Sequence, residues 1–232
     1  KYHSILIDTD GNAWSFGYDA GPDALGLGSS GDKAVPTKIT NYDIGGGSVS
    51  IPNGHKWVSA ACGHDHSLLL DSDGYVYCSG LNASGQLADG TVVNKTVFTR
   101  ISSETFTKIS CGIQHSMLLK TDGTVLTAGQ NGKGQLGNGT NTDTGVKAPS
   151  IISFEHPVTD ISAQANSSTF LSDNILRVCG NKDTYGIDVS SSELLPIMSS
   201  NEVTIPHLVT GQLRVGRLVP DAIINAVFAE GG

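Results

Sequence analysis

One short phrase recurs four times along the chain, and this repetition limits the possible folds more than any other feature. The first three copies read HSILIDTDG, HSLLLDSDG and HSMLLKTDG, and a weaker fourth copy reads NSSTFLSDN. Successive copies start 63, 49 and 51 residues apart, at His3, His66, His115 and Asn166. In each copy a glycine lies 14 positions after the first residue, at Gly17, Gly80, Gly129 and Gly180. Such a repeat predicts similar structural units that pack side by side.

Each copy predicts a β-hairpin with a tight turn. Short apolar runs lie on both sides of an Asp-Gly pair, and glycine adopts the positive φ of a primed turn without strain. The fourth copy has asparagine there, the next residue that tolerates the left-handed conformation. The predicted turn residues are Gly11, Gly74, Gly123 and Asn174. Copies two and three continue into a Gly-Gln-Leu turn, which contains Gln86 and Gln135.

Further β-prone runs lie before and after the hairpins. WVSAACG (57–63) and FTKISCG (106–112) each predict one strand upstream, and VFTRI (97–101) predicts one downstream. Four short antiparallel strands in every ~50 residues are typical of one propeller blade. The predicted fold is therefore an all-β propeller with about four four-stranded blades, and no stretch has a helical period long enough to predict a helix.

The repeat also sets the expected boundaries of the blades, at about 1–40, 55–101, 104–152 and 157–198. Two segments depart from it, an inter-blade loop at 41–54 and a long connection at 188–218, and connections of this length are usually functional. Residues 219–232 predict a strand that completes a blade. Either it closes a small ring on the first blade or the chain is part of a larger ring, and the mid-blade start at Lys1 favours the larger ring.

These motifs resemble the repeats of the regulator of chromosome condensation family. The resemblance rests on His66-Ser67 with Asp73-Gly74, on WSFG at 14–17, and on the turns NASGQLADG (82–90) and NGKGQLGNG (131–139). It covers about residues 1–189. It implies a β-propeller, usually of seven blades, that works as a binding scaffold. The repeat is similar to that of a nuclear guanine-nucleotide exchange factor and of a bacterial β-lactamase inhibitor, which both hold a protein partner across one face.

Composition excludes several classes of function. Lys and Arg number 14 against 22 Asp and Glu, a formal charge of −8, whereas binding to phosphates requires the opposite balance. We therefore expect no nucleic-acid partner.

No apolar run approaches the ~20 residues of a membrane helix, so we expect a soluble chain without membrane insertion. This segment contains no targeting signal, and its cellular compartment is left unassigned. The four cysteines are widely spaced and are interpreted as buried hydrophobes rather than metal or redox groups.

The recurring histidines suggest catalysis or metal binding, but their repetition argues against both. His3, His66 and His115 occupy the same repeat position, so they lie in different blades and do not converge on one ion. Asn166, aligned with them, can form hydrogen bonds but cannot transfer protons near neutral pH. We interpret these residues as structural, with hydrogen bonds to backbone between blades. We expect no catalytic residue, metal or cofactor.

The sequence favours a non-enzymatic protein–protein interaction module, part of a larger protein, that binds a protein partner through its loops. The alternative is a structural component of a virion, fibre or cell-surface assembly, in which neighbouring chains are the partners. A regulator of a small GTPase, similar to a guanine-nucleotide exchange factor, ranks third. The candidate partner-binding residues lie in loops 41–54 and 138–147, and they are Asn41, Tyr42, Asp43, Asn53, Asn141 and Asp143.

Overall fold

Short antiparallel strands form almost all of the regular structure. The computed structural model describes residues 2–19, 23–29, 31–142 and 149–181, and the backbone of residues 195–196. These residues contain seventeen strands and no helix. The strands form four separate sheets, one for each blade. The predicted all-β architecture of repeated antiparallel blades is confirmed.

The first two sheets contain the blades on either side of segment 41–54. In the described residues the first blade has the order β1-β2-β3, with β1 His3–Ile7, β2 Ala13–Gly17 and β3 Lys33–Lys38. The second has the order β5-β4-β9-β8-β7-β6. Its strands are β4 Asn41–Asp43, β5 Ser48–Ser50, β6 Trp57–Cys62, β7 His66–Asp71, β8 Val76–Gly80 and β9 Lys95–Arg100.

The third and fourth sheets each have four strands in chain order. Those of the third blade are β10 Lys108–Cys111, β11 His115–Leu119, β12 Val125–Gly129 and β13 Ser150–Ile152. Those of the fourth are β14 Val158–Gln164, β15 Ser167–Ser172, β16 Ile175–Gly180 and β17 Leu195–Pro196. Strands β6, β10 and β14 contact one another in succession across the blade boundaries.

Apolar side chains from neighbouring blades pack together at each boundary. One cluster joins β7 and β8 to β11 and β12 through Leu68, Cys78 and Leu118. A second joins the third and fourth blades through Met117 and Phe170. Because each cluster uses side chains from two sheets, a single blade cannot bury its own apolar surface.

Segment 41–54 was expected to be a loop, and this expectation is wrong. It forms the hairpin β4–β5, and β4 pairs in parallel with the outer strand β9, with Tyr42 opposite Phe98. The turn is closed by Asp43, whose Oδ1 accepts hydrogen bonds from the backbone N–H groups of Gly45 and Gly47. The glycine run thus forms a hairpin tip, and the second blade gains two strands at its outer edge.

The sequence predicted primed turns at the tips of the hairpins. In the structure the turn of each of the first three hairpins contains only one residue in the left-handed conformation. Gly11, Gly74 and Gly123 have φ of +81°, +87° and +82°. The N–H of Gly74 donates to the Asp71 carbonyl, and the N–H of Asp71 donates to the Tyr75 carbonyl. This is a three-residue hairpin loop in which glycine takes the left-handed position after a turn.

The fourth hairpin is one residue shorter, and this shifts its alignment with the repeat. Asp173 and Asn174 are both left-handed, with φ of 51° and 56°, between the paired residues Ser172 and Ile175. Ser167, and not Asn166, therefore pairs with the following glycine, as the histidines do in the other blades. The predicted alignment of Asn166 with the histidines is wrong because the fourth hairpin loop has two residues and the other three hairpin loops have three.

Some expectations concern residues outside the described part of the chain. These are the strand at 219–232, most of the connection at 188–218, and Asp143. Within that connection only β17 is described, and it pairs with β16 as the fourth strand of its blade.

Candidate functional site

One hydrogen-bond arrangement repeats at three blade boundaries. A histidine Nε2 of one blade lies 2.7–3.0 Å from a serine Oγ of the next, in the pairs His3–Ser67, His66–Ser116 and His115–Ser168. Each serine hydroxyl donates, at 2.7 Å, to a backbone carbonyl of the preceding blade, that of Ala24, Gln86 or Gln135. Since its proton is used there, each serine accepts a hydrogen bond from a histidine protonated on Nε2. The histidines thus join neighbouring blades through a serine, and His66 and His115 also form hydrogen bonds with the backbone of His115 and Ser167 in the next blade.

Burial keeps these three imidazoles neutral. His66 and His115 have no exposed surface, and His3 is 9% exposed. Burial lowers the pKa of His66 to about 3 and the pKa values of His3 and His115 to about 4. A general acid or base near neutral pH needs a pKa close to the working pH. The arrangement therefore suits blade packing and not proton transfer.

Glycines leave the space that these histidines occupy. A Cβ added to Gly63 or Gly112 would lie 2.1 Å from Cε1 of His66 or His115. The glycines at the ends of the second hairpin strands have φ between +102° and +116°, and they are Gly17, Gly80, Gly129 and Gly180. A Cβ on any of them would lie 2.3–2.4 Å from a carbonyl oxygen, which in the last blade belongs to Asn166. Asn166 thus lies in the turn before the HS-type strand.

The Gly-Gln-Leu turns are stabilised by their own side chains. Oε1 of Gln86 accepts from the Ser84 N–H, and Gln135 does the same with Lys133. The buried Asn82, which begins the same motif, was not among the predicted site residues. Its Oδ1 accepts from the Leu87 N–H, and its amide group donates to Asp89, Thr91 and Val93. Asn131 bonds in the same way in the next blade.

The predicted partner-binding residues separate into two groups. Asn41, Asn53 and Asn141 are exposed. Tyr42 is only 8% exposed and belongs to the core, and Asp43 stabilises the hairpin turn. Tyr42 is therefore corrected from a binding residue to a packing residue, because β4 became part of the sheet. Asp43 is half-buried.

A cleft of about 210 Å³ opens at the boundary between the first two blades, beside the added hairpin. Its lining includes Asn12, Lys38, Ile39, Asn53, His55 and Trp57. An aromatic cluster supports it: the His55 ring stacks on Tyr42 at 5.5 Å and meets Trp57 at 4.5 Å and 72°. No local sequence pattern marks His55 or Lys38, because the two residues line one cleft only once the hairpin has docked.

Among the residues with described positions, no group of three or more His, Cys, Asp or Glu side chains is arranged to hold a metal ion. None of the described elements is a helix long and apolar enough to cross a membrane.

These sheets, and the histidine–serine bonds between them, define a segment of a repeat β-propeller. Models of one repeat, the "Regulator of chromosome condensation (RCC1) repeat", match residues 10–70, 73–119 and 122–171, and also 57–86 and 106–135. These matches cover more than half of the chain. The chain belongs to the RCC1-repeat family, which confirms the resemblance inferred from the sequence.

Curated relatives match only part of the chain. "Protein RCC2 homolog" of Xenopus laevis is 39% identical over 95 residues, which are 40% of this chain and 16% of that protein. "X-linked retinitis pigmentosa GTPase regulator homolog" of Caenorhabditis elegans is 31% identical over 86 residues, which are 36% of this chain and 5% of that protein. The matched region thus spans a sixth or less of each relative.

Solved structures show the same fold at low sequence identity. Human WBSCR16 matches with a TM-score of 0.66 and 18% identity, over 94% of this chain and 53% of that one. Prp20p of Saccharomyces cerevisiae matches with a TM-score of 0.54 and 20% identity, over 81% of this chain and 57% of that one. The chain spans a little more than half of each, so it corresponds to an arc of an RCC1-type propeller.

Proposed function

We propose that the chain is a non-enzymatic module that binds a protein partner through the connections between its strands. The observation that carries the proposal is where the accessible side chains lie. Every residue of β7, β8, β11 and β12 is buried, whereas Asn53 and Asn141 are exposed on connections and Asn41 is exposed on the added hairpin. A side chain already packed between blades is not accessible to a partner, so binding falls to the connections.

The similar proteins support a protein partner. The Prp20p structure is described together with its binding to Gsp1p and histones. Yeast RCC1 (Prp20) was also solved with Kap60 bound; that chain matches with a TM-score of 0.54 and 21% identity, over 86% of this chain and 62% of that one. The comparisons give no support to a structural role in a virion, fibre or cell-surface assembly.

The proposal is tested with arginine substitutions at exposed positions. One variant carries Asn41→Arg with Asn53→Arg, a second carries Asn141→Arg, and a matched control carries Val35→Arg on the outer strand β3, where Val35 is 68% exposed. Partners are captured by cross-linking, purified, and measured by calorimetry. We expect at least one loop variant to weaken binding about tenfold, about 1.4 kcal/mol, with the control unchanged. Unchanged affinity of every partner for all variants contradicts the proposal.

A narrower candidate is regulation of a small GTPase. The observation in its favour is the name of the Caenorhabditis elegans relative, a GTPase regulator homolog. The test is release of a fluorescent nucleotide from a purified GTPase with and without the chain. Acceleration supports this function, and an unchanged rate at saturating chain excludes it for that GTPase.

A further inference from the structure

Three asparagine–glycine pairs occur in the chain, and the fold gives them different surroundings. They are Asn53-Gly54, Asn131-Gly132 and Asn138-Gly139. Asparagine before glycine is chemically labile, because glycine has no side chain to hinder attack of its backbone nitrogen on the asparagine amide. The reaction also requires that the side chain and the backbone nitrogen are free to meet. The three pairs share this local chemistry, so the fold decides which of them reacts.

Asn53 and Gly54 form the tip of a β-turn in the segment that follows hairpin β4–β5. The N–H of His55 donates to the carbonyl of Pro52 at 3.2 Å, and Gly54 has φ of +88°. A positive φ at the third residue is typical of a type II turn. The hydrogen bond of such a turn joins its first and fourth residues. Within the described part of the chain, the Gly54 N–H donates to no acceptor.

The side chain of Asn53 is also unrestrained. Pro52, Asn53 and Gly54 are all exposed, and among the described residues the Asn53 amide has no hydrogen-bond partner. A Cβ added to Gly54 would have no heavy atom of a non-neighbouring residue within 4 Å, so the space around the turn is open. The amide carbon of Asn53 and the nitrogen of Gly54 can therefore approach each other without breaking a hydrogen bond.

Hydrogen bonds hold the other two asparagine side chains in place. Asn131 is fully buried; its Oδ1 accepts from the Leu136 N–H, and its amide group donates to Thr140. Asn138 is half-buried; its amide group donates to the Ser150 hydroxyl at 3.0 Å, and its Oδ1 accepts from the Thr140 N–H. Either side chain must first lose these bonds, so its reaction is limited to a minor, locally opened population.

We propose that Asn53 is a site of spontaneous deamidation through a cyclic imide, and that the fold protects Asn131 and Asn138 from the same reaction. The Gly54 nitrogen loses its proton and bonds to Cγ of Asn53, the Cγ–Nδ2 bond breaks, and ammonia leaves. Solvent water then opens the ring at either carbonyl, which yields aspartate or isoaspartate. The amide and one water thus become a carboxylate and ammonium, with no oxidation or reduction.

The product changes the charge of a connection beside the cleft. Asn53 and Gly54 lie in the cleft wall, and each converted molecule gains one negative charge there. Isoaspartate also adds a methylene group to the backbone of the turn that Pro52 and His55 close. The inference does not rest on the proposed function, because the reaction requires only the chain and solvent water.

The test incubates the folded chain at pH 8 in 18O-labelled water and analyses tryptic peptides by mass spectrometry. Trypsin places the three pairs on separate peptides, 39–56, 121–133 and 134–147, and fragmentation identifies the converted residue. We expect Asn53 to be converted at least about tenfold faster than Asn131 or Asn138, because local opening limits the protected sites. Both isoaspartate and aspartate are expected at Asn53, whereas direct hydrolysis of the amide would give aspartate alone.

The chain unfolded in guanidinium chloride is the control for intrinsic reactivity. Without the fold the three pairs are expected to react at comparable rates. The variant Ser150→Ala removes the acceptor of the Asn138 amide, and we expect it to speed conversion of Asn138 about fivefold and to leave Asn53 unchanged. Asn53→Gln is expected to abolish conversion at this position, because glutamine would have to form a larger ring.

Three results overturn the inference. They are equal conversion of the three pairs in the folded chain, absence of isoaspartate at Asn53 while the unfolded chain forms it, and unchanged conversion of Asn138 in Ser150→Ala. None of these results bears on the proposed function, because partner binding is measured separately with freshly purified chain.

Discussion

Acidification is expected to destabilise this fold well before its carboxylates titrate. His3, His66 and His115 have folded-state pKa values of about 4, 3 and 4, against 6.5 for an ordinary histidine. A lowered pKa means that the folded state holds the neutral ring and the unfolded state takes up the proton. The stabilisation is therefore complete above about pH 6.5 and is lost as pH falls towards 4.

The size of the effect follows from proton linkage. Between pH 7 and pH 5 each of these histidines lowers the free energy of unfolding by about 2 kcal/mol, so the three together lower it by about 6 kcal/mol. Carboxylates with ordinary pKa values remain ionised over most of this range. A fall of this size is comparable to the whole stability of many domains.

Urea unfolding followed by tryptophan fluorescence, at constant ionic strength and in half-unit steps of pH, measures the effect. His66→Asn is expected to lower stability at pH 7 and to remove about a third of the pH dependence. His156→Gln is the control for the substitution itself, because the His156 side chain is 56% exposed, and stability at pH 7 is expected to stay within about 0.5 kcal/mol of the parent chain. A change of less than about 1 kcal/mol between pH 7 and pH 5 refutes the placement of three neutral histidines between blades.

Three further predictions concern packing. Gly63→Ala is expected to cost about 2 kcal/mol in urea unfolding, since the new Cβ would lie 2.1 Å from the His66 ring; unchanged stability would contradict the close packing. Asn131→Asp is expected to cost about 3 kcal/mol at pH 7, because the carboxylate keeps the hydrogen bond from the Leu136 N–H but loses the amide donors. Part of the free energy of unfolding lost in Asn131→Asp is expected to be recovered at acidic pH, where the carboxyl group becomes neutral. An equal loss at every pH would show that the charge is not its cause. Tyr42→Ala is expected to cost about 3 kcal/mol and to raise hydrogen exchange in β4 and β5 first, whereas slow exchange there would show that the hairpin does not depend on the aromatic cluster.

Most of the blade architecture could be predicted because it repeats. The HS phrase, the turn glycine and the glycine that ends the hairpin recur at fixed spacings, and each specifies a local backbone conformation. Asn174 was predicted to be left-handed from its place in the repeat, and its φ is 56°. The histidines were expected to bond between blades, and in the structure they do so through a serine. Asn166 was misaligned because one hairpin is a residue shorter, a difference that residue types alone do not reveal.

The parts of the chain that lie outside the repeat, segment 41–54 and the cleft beside it, could not be predicted from the sequence. Segment 41–54 looks like a loop because its strands are three residues long, and such strands are stable only when an outer edge such as β9 is available for pairing. The cleft residues Lys38 and His55 are separated by the whole hairpin, so their proximity depends on its docking.

Turns, strands and blade number follow from neighbouring residues along the chain, because backbone conformation is chosen over a few positions. The pairing of His66 with Ser116, 50 residues away, and the cleft beside Trp57 follow from how complete blades pack. Contacts between side chains so far apart in the sequence depend on the shape and burial of the packed blades. A local sequence pattern does not contain this information.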